Sequence, residues 1–492
     1  MSQTHTKFRN LLSRIVLGFA GLSILMLPVG SGVRAQTAET LSQVKKIYVE
    51  SLGQDDAATK LRERIIRDLG KNEGLEIVTA PNKADAVIKG GESIWVTGYY
   101  SNNPRTPSNG RQPILHGFLS AEVVGKDNET LWSYLVTPSR FRSGSITEDM
   151  ADQFVAKLAG ALKQKNEDLP VSSGTERAGE LNLNGAGATF PAPLYQKWFE
   201  SFQQRYPKAH ITYRAVGSEA RLLAESKADF AASDVPLSNE RISESKTSLL
   251  HFATVVGAVV PIYNVKGIDR SLNFTPEVLA GVYLGKIKNW NDLKIRESNR
   301  NASLPNSEIV VVHRSDGSGT SFAWTDYLSK VSAAWKASVG TGSEVKWPVG
   351  TGAEGNEAVA TMVQQTPNSI GYVELVYALR HQLSFGAVRN AAGEFVQADL
   401  ASVTAAARGA AQETSDLRVS ISNASGKGAY PIATFTWWVL PGDMGGGNKK
   451  AAFLALLQWM LTSGQKDCSA LGYAPLPREI ARRELEFLSK LK

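Results

Sequence analysis

The chain is poor in sulfur and in histidine. Its 492 residues hold one cysteine, Cys468, so no disulfide can form within it and its stability must come from core size. The stretch around Cys468 reads as a helix end, which makes the thiol a small buried group rather than a nucleophile. The six histidines, His5, His116, His210, His251, His313 and His381, are scattered, and no pair stands at metal-ligand spacing. No metal site and no cofactor are expected. No repeat of fixed period is present. A sustained basic surplus is also missing. Residues 1–35 carry Lys7, Arg9, Arg14 and Arg34 and no acid; without them 50 basic side chains face 47 acidic ones, and the formal net charge falls from +7 to +3. That balance points away from a nucleic-acid partner.

Long apolar runs are rare. One follows the basic start: "IVLGFAGLSILMLPVG" (15–30), then "SGVRAQ", with small residues at Val33 and Ala35. A positive segment, an apolar core and a small-residue site predict a signal peptide over residues 1–35, cleaved after Ala35, and hence a periplasmic protein. An uncleaved anchor is the alternative, but the run is near the lower limit of about 17 residues for a spanning helix and contains Pro28. No cysteine sits beside the site, which argues against a lipid anchor. "KAAFLALLQWMLTSG" reads as a buried helix ending at Gly464, too short to cross a bilayer.

Two bodies follow the leader. Residues 42–167 read as a small α+β domain of unassigned role with an antiparallel sheet. "KKIYVESL", "LEIVTA" and "ADAVIKGG" are strands. Residues 55–71 are a helix on the four-residue spacing of Leu61, Ile65 and Leu69. "NNPRTPSNGRQP" (102–113) is a loop. "FLSAEVV" and "TLWSYLV" flank the turn "GKDNE" as a hairpin, and a helix runs from about Glu148 to Lys163. Residues 168–180 fall in a polar linker. Residues 181–492 alternate short strands with helices, which predicts a parallel sheet covered on both faces. "LYQKWFESFQQRY" is a helix with Leu194, Trp198 and Phe202 on one face. "HFATVVGAVVPIYNV" is a central strand, and Trp437 and Trp438 belong to an apolar strand and the core.

Four stretches of this second body share one pattern: a strand end, then small or hydroxyl residues, then a helix. "LNGAGATFPAP" (183–193) places Thr189 and Phe190 before a helix whose first turn can hold Pro191. Gly185 and Gly187 fit two glycines of a dinucleotide fingerprint, but Phe190 occupies the third position, so that reading fails. "YRAVGSEARLLAE" sets Ser218 at a helix start, where it serves as an N-cap or as an anion ligand. "KADFAASDVPLS" puts Asp234 after an apolar strand; alone it reads as a turn residue. "EIVVVHRSDGSGTSFAWTDYLSK" is a strand ending at Arg314, a glycine-serine turn and a helix, whose consecutive N–H groups suit an anion. It lacks the lysine of a nucleotide loop, and Asp316 stands where a nucleophile elbow needs glycine. His313, next to Arg314 on the strand, faces the other way.

Read together, "GAGATFPAPLYQKWF", "ASDVPLS", "VYLGKIKNWND", "RSDGSGTSF", "WPVGTGAEGNEAVA" and "NSIGYVELVYA" resemble the periplasmic phosphate-binding protein of the high-affinity bacterial phosphate ABC transporter, over about residues 181–492. The resemblance implies an α/β fold of the two-lobed, Venus-flytrap type II class. Lobe I is then about 181–260 and 436–492, and lobe II about 261–435. It implies phosphate contacts at Thr189, Phe190, Ser218, Asp234, Arg314, Ser318, Gly319 and Thr320, with Asp316 pairing the arginine. It implies a non-enzymatic protein that captures inorganic phosphate and delivers it to the permease subunits of an ABC transporter. The hinge is expected near Val259–Val265 and Tyr430–Val439.

The chemistry agrees with that set. Helix-start donors, hydroxyls and one guanidinium hold a dianion. A carboxylate at Asp234 tolerates only an anion that brings a proton, so phosphate is favoured over sulfate. After Ser218 this chain carries Glu219, Ala220 and Arg221 where relatives have small residues; Glu219 and Arg221 are expected to face solvent. Competing readings are a secreted phosphatase and a phosphate sensor or envelope-attached protein whose first body docks to a cell-envelope partner.

Overall fold

The computed structural model describes residues 40–101, 111–138, 145–164, 181–216, 228–243, 245, 248–268, 271–413, 417–445 and 447–491. The leader, the linker 168–180, residues 102–110 of the expected loop, and the stretch with Ser218, Glu219 and Arg221 lie outside the described residues. The chain divides into two compact units, the second holding residues 169–492 together with 95–116 and 141–143. Among the described residues no helix is long and apolar enough to cross a membrane.

Residues 40–164 form β1 (Lys46–Val49), α1 (Asp56–Leu69), β2 (Glu76–Ile77), β3 (Ala86–Ser101), β4 (Arg111–Gly125), β5 (Thr130–Val136) and α2 (Ile146–Lys163), with sheet order β2-β1-β3-β4-β5. Asp55 caps α1 by accepting from the Ala58 amide, and Leu61, Ile65 and Leu69 are buried as their spacing predicts. The hairpin pairs β4 with β5 antiparallel, from Leu119 opposite Val136 onward. The expectation of an antiparallel sheet fails at β1, which runs parallel to both β2 and β3. The reason is α1: a helix between strands returns the chain to the same end of the sheet, and the next strand then enters in the same direction. "LEIVTA" shortens to the two residues of β2.

The second unit starts with β6 (Leu181–Gly187), α3 (Ala192–Arg205), β7 (Ala209–Ala215), β8 (Phe230–Ser233) and β9 (Leu249–Asn264). It continues through β10 (Val310–Arg314), α4 (Gly319–Val331), β11 (Thr351–Ala353), α5 (Gly355–Gln365), β12 (Ser369–Glu374) and α6 (Leu375–Arg380). It ends through β13 (Ala433–Pro441), α7 (Gly447–Leu461) and α8 (Arg478–Ser489). Leu194, Trp198 and Phe202 form the buried face of α3, and Trp437 and Trp438 lie in the core. Pro191 caps α3 rather than entering it.

The strand order is β11-β10-β12-β9-β13-β8-β6-β7. Pairs within each half, β6 with β7 and β8, and β10 with β11 and β12, are parallel as expected. The wholly parallel sheet is not found, because β9 runs antiparallel to β12 and β13, and β13 antiparallel to β8. Chain direction explains this. β9 carries the chain out of one half and β13 brings it back, so the two must oppose each other. β9 changes partner within its own length: Leu249 to Ala258 pair with β13, and Val259 to Asn264 with β12. At the switch the Val259 amide donates to the Ile432 carbonyl (2.8 Å), and the Tyr430 hydroxyl donates to the Val259 carbonyl (2.9 Å). Two α/β lobes thus share two crossing strands.

Candidate functional site

Arg314 ends β10. Strand alternation turns it to the face opposite His313, whose ring stacks on Trp347 with centroids 4.8 Å apart. The guanidinium is buried, 2% exposed for the whole residue. Its Nε and Nη2 donate to Asp316 Oδ1 and Oδ2 at 2.7 and 2.5 Å, a planar fork on a planar carboxylate. Its Nη1 donates to Thr320 Oγ1 at 3.4 Å. Burial works against a charge on Asp316, but the hydrogen bonds and charge of Arg314 and the Gly355 amide outweigh it, so the carboxyl stays below the usual carboxylate range.

Immediately after this pair α4 begins. Ser318 is its N-cap, and its Oγ accepts from the Ser321 amide at 3.3 Å. The amides of Gly319 and Thr320 lie in the first turn, where a helix supplies no acceptors and presents partial positive charge. Ser318, Gly319 and Thr320 are all buried. A buried helix start beside an arginine suits negative charge.

Asp234 comes to the same place from the other lobe. It follows β8 in a turn held by the Ser233 hydroxyl, which donates to the Val235 carbonyl (2.7 Å) and accepts from its amide (3.1 Å). The residue is 1% exposed. Thr436 Oγ1 donates to its Oδ1 at 2.6 Å, and Thr434 Oγ1 to its carbonyl at 3.2 Å. Gly319 lies directly against it: a Cβ at 319 would stand 2.3 Å from the Asp234 Cβ. Burial pushes the Asp234 carboxyl up to about 7, against the opposing pull of the Thr436 hydrogen bond and the Arg314 charge.

Thr189 and Phe190 lie in the turn between β6 and α3. Gly187, φ +143°, brings the end of β6 so close to β8 that a Cβ there would be 2.2 Å from the Ala232 carbonyl. Opposite, the Tyr377 hydroxyl donates to the Thr189 carbonyl (2.9 Å), and Asn356 Nδ2 donates to Thr189 Oγ1 (3.0 Å) and Thr320 Oγ1 (3.2 Å). The Phe190 carbonyl accepts from the Tyr473 hydroxyl (2.6 Å), and its ring fills the space a side chain at Gly257 would need.

The structure therefore brings Thr189, Phe190 and Asp234 of one lobe against Arg314, Ser318, Gly319 and Thr320 of the other, with Asp316 behind the arginine. Ser218 lies outside the described residues. Sequence reasoning missed Asn356, Thr436 and Tyr377. "GTGAEGNE" marks only a glycine-rich turn, and Thr436 looks like one of two threonines in the apolar strand "ATFTWWVL". Cys468 is buried with its thiol pushed up by that burial. Among the described residues no group of three potential metal ligands occurs.

Two α/β lobes on shared crossing strands, with a helix start from one lobe set against a carboxyl from the other, make up the two-lobed periplasmic-binding-protein fold of type II. The sequence profile of the PBP superfamily domain matches residues 170–463. A phosphate-binding protein PstS of Xylella fastidiosa is 40% identical over 329 residues, covering 66% of this chain and 89% of that protein. The PstS of Pasteurella multocida is 39% identical over 306 residues, covering 61% and 88%. A solved phosphate-binding protein from Stenotrophomonas maltophilia aligns at 19% identity and a TM-score of 0.49, covering 62% of this chain and 94% of that one. The chain belongs to the PBP superfamily and, within it, to the family of PstS phosphate-binding proteins. Residues 1–169 lie outside the superfamily match.

Proposed function

We propose that residues 181–492 capture inorganic phosphate outside the cytoplasmic membrane and deliver it to the permease of an ABC transporter. The observation that carries the reading is Asp234: a buried carboxyl facing a helix start and a buried Arg314 paired with the half-buried Asp316. An anion in that space meets donors on one side and one acceptor on the other. Monobasic and dibasic phosphate carry a proton for Asp234, whereas sulfate at neutral pH would set acceptor against acceptor. Thr189, Phe190, Ser218, Ser318, Gly319 and Thr320 are assigned as donors, Arg314 as the cation and Asp316 as its clamp.

The relatives are named as binding proteins, and the reading is accordingly of capture without turnover. The division into residues 42–167, 168–180 and 181–492 is part of the proposal, and 181–492 expressed alone is expected to bind as the whole chain does. Docking of the first body to an envelope partner is the companion proposal, and capture from envelope extract with residues 36–170 as bait tests it.

Calorimetry on the whole chain decides the main reading. Phosphate is expected to bind at micromolar concentration or below, and sulfate far more weakly. No phosphate binding at micromolar concentration overturns the function. Sulfate binding as tightly as phosphate overturns the role of Asp234.

A further inference from the structure

Asn356, in the first turn of α5, is 1% exposed and joins the two lobes. Its Oδ1 accepts from the Glu374 amide at 3.1 Å. A backbone N–H only donates, so this contact fixes the carboxamide: oxygen toward residue 374, nitrogen toward the threonines. Both hydrogens of Nδ2 are then engaged, one on Thr189 Oγ1 at 3.0 Å and one on Thr320 Oγ1 at 3.2 Å. Thr320 Oγ1 can also donate to Oδ1, but at 3.5 Å that contact is at the outer limit of a hydrogen bond and the weakest of the set.

A hydroxyl has two acceptor sites and one proton. Thr320 Oγ1 receives Asn356 Nδ2 and Arg314 Nη1, so its acceptor sites are filled and its proton remains to be given. Thr189 Oγ1 receives Asn356 Nδ2 from the opposite lobe. We propose that Asn356 is a positioning residue for the bound anion: by occupying the acceptor side of Thr189 and Thr320 it commits both hydroxyls to donate into the cleft. The inference rests on the phosphate reading above, since it takes the two hydroxyls to meet the ligand.

It also makes the cleft polar in a defined sense. With Asn356 on an acceptor site of each hydroxyl, the Thr189–Thr320 side favours giving protons, so a protonated phosphate oxygen is turned away from it and toward Asp234, the acceptor. Asn356 thereby sets which phosphate oxygen carries the proton in the complex. Because Thr189 belongs to one lobe and Asn356 and Thr320 to the other, this arrangement exists only when the lobes are together.

The test is a double-mutant cycle on the whole chain, read as phosphate affinity by calorimetry, with thermal melting as the control for folding. Asn356→Ala is expected to weaken phosphate about tenfold or more, the scale of one to two lost polar contacts in a dry site. Thr189→Val is expected to weaken it similarly. If Asn356 acts by aiming the Thr189 hydroxyl, the double variant loses clearly less than the product of the two single losses. Asn356→Asp keeps the volume, should Asn356→Ala fail to fold. It replaces two donors by acceptors that draw the hydroxyl protons away from the ligand, and its loss is likewise expected to shrink in the Thr189→Val background. Losses that multiply, or an unchanged affinity in Asn356→Ala and Asn356→Asp while the wild type binds phosphate, overturn the positioning role and leave the function standing. A wild type that binds no phosphate overturns both.

Discussion

Asp234 and Gly319, from opposite lobes, are in van der Waals contact, and no side chain fits between them. A Cβ at 319 would lie 2.3 Å from the Asp234 Cβ and 2.7 Å from its Oδ2. Gly319→Ala must therefore push Asp234 away from Thr436 or hold the lobes apart. It is expected to weaken phosphate binding by about 1–3 kcal/mol, the usual cost of overfilling a packed site. Calorimetry measures it, and unchanged affinity would show that the two residues do not need their closeness.

The pH dependence of Asp234 has a definite sign. The unfolded carboxyl ionises near pH 4, and the folded one is pushed up to about 7 by burial, despite Thr436 and Arg314. Between those values the folded chain keeps a proton that the unfolded chain has lost. The contribution to stability is full below about pH 4, falls as pH rises to about 7, and is level beyond. Asp234→Asn removes this titration, so the difference in Tm between variant and wild type, without phosphate, is expected to grow in the variant's favour across that window. The amide can also donate, so sulfate should gain affinity relative to phosphate by about 1 kcal/mol or more. Melting curves at several pH values and competitive calorimetry check both halves.

Arg314 makes demands that lysine cannot meet. Its fork reaches both oxygens of Asp316 while Nη1 points to Thr320. Arg314→Lys keeps the charge but loses the two-point grip, leaving Asp316 short of a partner in a half-buried place. A loss of about 1.5–3 kcal/mol in phosphate affinity is expected, the range for hydrogen bonds to charged groups. A fall in Tm should accompany it. Retained affinity would mean that charge alone suffices.

Tyr377 tests closure without touching the anion's donors. Its hydroxyl reaches across to the Thr189 carbonyl. Tyr377→Phe removes that bond at nearly constant volume, so phosphate should leave faster, with affinity lower by about 0.5–1.5 kcal/mol. Stopped-flow release of phosphate from the variant and wild type reads the difference, and equal release rates would count against a latch.

Much of this was legible in the chain because it is local. The strand ending at Arg314, the turn and the helix after it occupy consecutive residues, and the periods of α1 and α3 are written in Leu61–Ile65–Leu69 and Leu194–Trp198–Phe202. What escaped depends on distant pairing. Thr436 meets Asp234 only because β13 lies between β8 and β9, across two hundred residues of sequence. Asn356 matters only through Thr189 and Thr320, which no spacing rule links to it. The parallel pairing of β1 depends on a crossover through α1, and the antiparallel setting of β9 and β13 on the path of the whole second unit, neither of which a hydropathy pattern records. Asp234 shows the opposite case: alone it read as a turn residue, and only beside the other motifs did its carboxyl acquire a partner.

Cys468 has a consequence for how the protein matures. As the sole thiol of the chain, buried and with its ionisation suppressed by that burial, it offers oxidants and mixed-disulfide partners almost no thiolate to attack. Folding then calls for no thiol oxidase or isomerase, and the same folded state persists whether the surrounding compartment is reducing or oxidising.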